Sequence, residues 1–272
     1  MAKDRTVPPT TLDELKKNLE NLKLRTMLAN LDTAIEEANT LQTGYVTFLA
    51  NLVAKEILAR TDVAAERRCK AAGFPKIKTF ATFDWAFQKN LNVQLIKDLM
   101  NLQFIRNGRC LLFLGKPGVG KSHLSTAFGI LAAERGYSVR FFKAPKLLTA
   151  LYATLADGST DRFIAQLARI DLLIIDDLRS FTPARPEYAP LFLDLVEARH
   201  GKGTVLSSNL AIRDWGAVLG NSALTAATVD RLMEGAHVIN VKKGKSYRFE
   251  GPDGPPEEDR PEGLGDEPDE AD

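Results

Sequence analysis

The chain reads as an α/β protein, a parallel sheet with helices on both faces preceded by a small helical N-terminal domain. Three observations predict this. Short, wholly apolar runs recur through the second half of the chain, each separated from the next by a helix-forming stretch. One of them, Cys110-Leu-Leu-Phe-Leu114, opens directly onto a glycine-rich turn and then a helical segment. Before residue 76 the apolar residues fall instead at three- and four-residue spacing.

Residues 1–75 are predicted to form a helical N-terminal domain for binding DNA or a partner, with helices over 11–70. Thr10 or Thr11 supplies an N-cap, with Asp13 and Glu14 favourably placed in the first turn. Leu12, Leu15, Leu19, Leu22 and Met27 are expected on one face, and a second pattern runs through Tyr45, Phe48, Leu49, Leu52, Ile57 and Leu58. A basic run, Arg67-Arg68-Cys69-Lys70, precedes the breaker Gly73-Phe74-Pro75, and Lys76 and Lys78 follow. Such a stripe is either a solvated helix face or a surface for phosphates. Residues 76–108 read as a linker, whose Phe80, Phe83, Trp85 and Phe87 serve as core or as a lid over a base. Residues 109–250 form the α/β domain, with strands at 110–114, 137–142, 172–175, 204–207 and 237–241. Helices are expected at 122–135, at 145–169 with a turn at Asp157-Gly158-Ser159, at 188–200 and at 222–235. Residues 251–272, rich in Pro, Gly and acidic groups, are expected to be a disordered tail.

Composition narrows the classes. With 272 residues and 44 % apolar content the chain can bury a core, which excludes global disorder. Nothing approaches the roughly 18 uninterrupted apolar residues of a membrane span, and no apolar signal core follows Met1, so no membrane partner is expected. Two cysteines, Cys69 and Cys110, make neither a disulfide framework nor a zinc site, which points to a reducing, cytoplasmic compartment. The net charge of +1 conceals a division: the acidic tail carries −9, leaving +10 on residues 1–250. A basic body suits a polyanion without demanding one.

Gly115-Lys116-Pro117-Gly118-Val119-Gly120-Lys121-Ser122 satisfies the P-loop pattern. At this chain's own residue frequencies it would arise by accident about 0.01 times. The glycines let backbone N–H groups close on an anion, Lys121 reaches terminal phosphates, and Ser122 offers its hydroxyl to Mg²⁺. The helix starting there aims its positive end at the same place. His123, next in sequence, packs or caps locally. The run Leu172-Leu-Ile-Ile175 ends in Asp176 and Asp177. Ligands collect at the carboxyl ends of strands in open α/β sheets, so Asp176 is placed to hold Mg²⁺ and Asp177 to act as a general base. Asn209, ending another strand, either orients the water or γ-phosphate or makes an Asx turn. Arg231, late in a helix, is either a surface residue or an arginine supplied across a subunit contact.

These motifs resemble the AAA+ ATPases of the DnaA/DnaC clade, and within it the IstB-like helper proteins of insertion sequences. The resemblance spans about residues 12–248 and rests on GKPGVGKSH (115–123), DLLIIDDL (171–178), SSNL (207–210) and VDRLMEGAHVINVKKGKSYR (229–248), with RRCKAAGFPKIKTFATFDWAFQ (67–88) like the family's linker. It implies a P-loop AAA+ fold, ATP and Mg²⁺ as cofactors, and Mg-dependent hydrolysis of ATP to ADP and phosphate. Lys121 and Ser122 would be Walker A residues, Asp176 and Asp177 Walker B, Asn209 sensor 1 and Arg231 an arginine finger acting on a neighbour. Asp177 stands where AAA+ proteins usually carry Glu. The implied partners are double-stranded DNA, which such proteins assemble on and bend, and a transposase. Lys143, Lys146, Arg162 and Arg169, in and beside the helical insert, join Arg67, Arg68, Lys70, Lys76 and Lys78 as DNA-contact candidates. Only about 31 residues follow Val241, too few for a helical lid over the nucleotide. Completion of the site by another copy, and so ATP-dependent homo-oligomerisation, is therefore expected.

Three functions fit the sequence: an ATP-dependent helper of transposition, a replicative helicase loader of the DnaC type, and a nucleotide-binding regulatory module with negligible turnover. The N-terminal helices separate the first two by what they bind. Turnover separates the third.

Overall fold

A computed structural model describes residues 11–89, 91–179, 185–241, 245–252, 256 and 258. The expected disorder of the tail lies almost wholly outside them, as do the residues that follow Arg179 up to 184. The chain divides into two compact units, residues 1–66 and 67–272.

The first unit holds α1 (Leu12–Asn21), α2 (Arg25–Thr40) and most of α3 (Tyr45–Ala72). Thr11 caps the N-terminus of α1 in a reciprocal box with Glu14, one of the two start signals the sequence offered. The single apolar face expected over residues 12–27 does not form. The chain turns at Lys23, whose φ is +56°, so α1 and α2 are separate helices. Leu19, Met27, Leu31 and Leu52 make the buried cluster, while Leu12, Leu15 and Leu22 are exposed. Glu56, buried on α3, accepts hydrogen bonds from the backbone N–H groups of Thr26 (2.8 Å) and Met27 (2.9 Å) and from Arg60 Nε (2.7 Å). It thereby caps α2, which has no cap of its own.

The second unit begins within α3, where Arg68 Nε donates to the Ala133 carbonyl (2.6 Å) and Cys69 packs on the core. Then come α4 (Val93–Leu99), α5 (Gln103–Arg106), β1 (Cys110–Gly115), α6 (Lys121–Glu134), β2 (Val139–Lys143), α7 (Ala144–Ala153), α8 (Thr160–Ala168) and β3 (Leu172–Leu178). The series closes with α9 (Tyr188–Ala198), β4 (Gly203–Ser208), α10 (Trp215–Leu219), α11 (Ser222–Met233), β5 (His237–Val241) and α12 (Tyr247–Glu250). The five strands are all parallel, in the order β2-β3-β4-β1-β5. Alternation along β1 explains why its run is wholly apolar. Leu111 and Phe113 enter one core with Phe104 and Phe128, while Cys110, Leu112 and Leu114 enter the other with Leu147, Phe192 and Trp215. The insert expected at 145–169 is two helices, with the turn at residues 157–159 where its Asp-Gly-Ser predicts. No helix among the described residues is long and apolar enough to cross a membrane.

Burial pushes the Glu56 carboxyl up, but the Met27 N–H, the Arg60 side chain and the Thr26 N–H outweigh it and hold it below its ordinary value. A depressed folded pKa adds stability above the unfolded value of about 4.3, lost as pH falls through the lower folded one. Glu56→Gln should therefore lower the melting temperature of the full chain at pH 7. Thermal melts should show the gap from wild type closing below about pH 4.

Candidate nucleotide site

The C-terminal ends of the strands open on a cavity of about 420 Å³, lined by Pro117 through His123, Lys78, Lys143, Asp177, Ser207, Asn209 and Arg248 among others. Every sequence-predicted residue of the P-loop belongs to it or flanks it. Gly115 ends β1, Lys116 begins the loop, and Val119 is buried beneath it. Gly118 and Gly120 take φ values of +86° and +97°, which L side chains rarely adopt, and this turns the loop into the first turn of α6. Gly118 also lies against Ser246, so closely that a Cβ there would collide with the Ser246 hydroxyl.

Lys121 folds back across the loop. Its Nζ donates to the carbonyls of Gly115 (2.6 Å) and Lys116 (2.8 Å), groups that a phosphate would replace. Burial drives its ammonium down to about 8, against the pull of Asp177 and Asp176 and aided by Arg248. Ser122 begins α6 beside it and lines the cavity. His123 Nε2 donates to the Thr79 carbonyl (2.8 Å), and its ring meets Phe83 edge-on at 5.1 Å. It ties the linker to the P-loop helix. Of the linker aromatics, Phe80 and Trp85 are packing, whereas Phe83 also lines the cavity.

Asp176 is wholly buried. Its Oδ1 receives the Ser207 hydroxyl (2.6 Å), and its Oδ2 receives Lys143 Nζ (2.5 Å). Asp177 faces the cavity with φ +67°, a left-handed conformation costing about 1–3 kcal/mol for a residue with a side chain. Its N–H is held by Ser207 Oγ (2.9 Å), and Arg179 Nε approaches its carboxylate at 3.4 Å. The pairing of β3 with β4 shifts between Ile175 and Leu178, and this bulge is what aims Asp177 sideways. Asn209 lines the cavity, and its Oδ1 is buried without a partner among the described residues, as are Ser246 Oγ beside the loop and Gln88 Oε1. A ring of cations, two carboxylates and orphaned polar atoms around a P-loop fits a magnesium nucleotide. Lys121 and the loop N–H groups would hold its phosphates, and Ser122 and Asp176 its metal.

Arg231 is elsewhere. It lines a second cavity at the opposite end of the strands, with Arg109, Cys110 and Thr204, and its Nε lies 4.0 Å from Glu197. Among the DNA candidates, Lys143 and Lys78 line the nucleotide cavity, and Arg68 is bound to a backbone carbonyl. Burial lowers the Lys78 ammonium; Asp176 opposes this and Arg248, Lys143 and Lys76 reinforce it. Arg67, Lys70, Lys76, Lys146, Arg162 and Arg169 are exposed. Sequence reasoning gave no role to Ser207 or Arg248. Arg248 reaches the cavity because α12 folds back on the P-loop, Tyr247 N donating to the Gly118 carbonyl (3.1 Å). The Ser-Tyr-Arg triplet was visible as a signature, but not its destination.

A five-stranded parallel sheet in this order, with a P-loop between β1 and α6 and paired acids ending β3, defines an ATP-binding protein of the AAA+ class. The fold is shared with AMPPCP-bound DnaA from Aquifex aeolicus, at TM-score 0.50 and 23 % identity over 65 % of this chain, which spans about half (54 %) of that one. The chain belongs to the family of IstB-like ATP-binding proteins, whose match covers residues 17–251. Relatives include proteins named for ATP binding in insertion sequence IS21 of Pseudomonas aeruginosa and insertion sequence IS232 of Bacillus thuringiensis subsp. berliner. The first is 31 % identical over 88 % of this chain and 89 % of its own length, the second 33 % over 87 % and 94 %.

Gly118→Ala adds a methyl group where both φ and Ser246 forbid it. Titration with a fluorescent ATP analogue should show at least a tenfold loss of affinity, and melting a loss of about 1–3 kcal/mol.

Proposed function

We propose that the protein is a magnesium-dependent ATPase that assembles with copies of itself on duplex DNA and serves a transposase. The nucleotide part rests on the cavity geometry. The insertion-sequence part rests on relatives matched across nearly the whole chain, which favours this reading over the helicase loader.

A bound magnesium nucleotide supplies the phosphoryl group and a divalent charge beside it. The chain supplies the rest. Lys121 Nζ exchanges its two loop carbonyls for phosphate oxygens. The Asp177 carboxylate accepts a proton from a water that Asn209 orients. Arg248, on the same cavity, adds positive charge from within the subunit. The single observation that carries self-assembly is the place of Arg231. It lies on the cavity at the far end of the strands, so it cannot serve the nucleotide of its own subunit and suits that of a neighbour. Duplex would be held by exposed cations, Lys146, Arg162 and Arg169 near the helical insert and Arg67, Lys70 and Lys76 before the core.

ATPase assays with duplex test the trans arrangement. Lys121→Ala should lose nucleotide binding, while Arg231→Ala should keep it and lose at least about 100-fold in turnover. Mixing the two inactive variants should restore measurable turnover, because each supplies what the other lacks. A mixture as inactive as its components would refute the arrangement. Reversing charge at Lys146, Arg162 and Arg169 together should weaken duplex binding and flatten the dependence of log K on log salt by about 2–3. Fluorescence anisotropy across a salt series measures both.

A further inference from the structure

Lys143 ends β2, in register with Asp176 on the neighbouring parallel strand. Both oxygens of the acid assigned to the metal are already engaged: one takes the Ser207 hydroxyl and the other the Lys143 ammonium at 2.5 Å. Asp176 has no exposed surface, and a carboxylate so buried requires a counter-charge. Of its two partners only Lys143 carries one. The Lys143 side chain is 39 % exposed and lines the nucleotide cavity, so it has room to withdraw, whereas Asp176 has none.

We infer that Lys143 is the resident counter-ion of Asp176, standing in for the divalent cation and yielding the carboxylate when the metal–nucleotide complex binds. The inference rests on the nucleotide reading of this cavity. Ammonium and metal then compete for one carboxylate. Without metal, Lys143 keeps Asp176 from repelling the phosphates, so nucleotide binds with only modest help from magnesium. Without Lys143, the direct counter-charge on Asp176 falls to the metal, with Lys78 and Lys121 acting on the carboxylate only from a distance. A purely structural ion pair would behave differently, since its loss weakens binding equally in both conditions. Lys78, Lys121 and Arg248 also line the cavity and keep it positive in any Lys143 variant.

The test is equilibrium binding of a fluorescent ATP analogue to the full chain, followed by anisotropy, in excess EDTA and in saturating magnesium. A free-magnesium titration at fixed nucleotide completes it. Lys143→Met should lose about tenfold in affinity in EDTA and no more than about threefold in magnesium, and its half-saturating magnesium should fall severalfold. Lys143→Arg, which keeps the charge, should follow wild type in EDTA. Equal losses in both conditions, an unchanged or raised magnesium half-point, or an arginine variant as weak as the methionine variant would each overturn the inference. Should Lys143→Met fail to fold by circular dichroism, Lys143→Gln carries the same expectations. Absence of wild-type binding in both conditions would overturn the nucleotide reading itself. Wild-type binding with unaltered metal dependence in the variants overturns only the role of Lys143.

Discussion

A carboxylate paired with an ammonium group is buried near the carboxyl end of a core strand, with no exposed surface. Asp176 lies two residues before the end of the β3 core strand, wholly buried, and its charge is tolerable only because Ser207 from β4 and Lys143 from β2 converge on it. Removing Lys143 would leave the buried carboxylate without its counter-charge, the costly way to break such a pair. The constraint binds three adjacent strands at their carboxyl ends, and those ends are the floor of the nucleotide cavity. The same Ser207 hydroxyl also holds the Asp177 N–H in its left-handed turn. One serine thus sets both acids, so their geometry is a property of the β3–β4 pairing rather than of the loop beyond.

The cavity is cationic to a degree the P-loop alone does not explain. Lys121, Lys78, Lys143 and Arg248 come from four segments: the P-loop, the linker, the end of β2 and α12. Their mutual repulsion is expressed in the depressed ammonium groups of Lys121 and Lys78, in both cases after burial as the larger cause. A polyanion relieves that repulsion, which gives nucleotide binding an electrostatic drive in addition to the loop's hydrogen bonds. Arg231, in contrast, is withheld from this cluster and left half-exposed beside Glu197.

Much of this was legible in the residues. The strands appeared as wholly apolar runs because both faces of a parallel sheet are covered, and the P-loop, the paired acids and the Thr11 cap are local patterns that need no tertiary knowledge. Less legible were long-range partnerships. The face expected from Leu12 to Met27 failed because a turn at Lys23 restarts the helical phase, and nothing in three- and four-residue spacing signals a positive φ.

The sequence by itself determined the succession of the five strands, the anion-binding loop and the position of the paired acids, since each depends on neighbours within a few positions, whereas the short helices α4, α5, α10 and α12 carried no such local signal. Tertiary structure decided the allegiance of the cations. Lys78 and Lys143 looked like outer-surface residues because charge carries no periodic label, and only the parallel register of β2 on β3 brings Lys143 to Asp176. In the same way α12 delivers Arg248 by folding onto Gly118, through a hydrogen bond between Tyr247 and Gly118, residues 129 positions apart. Local chemistry can be read from order along the chain, but which charges face one another follows from strand register and chain return.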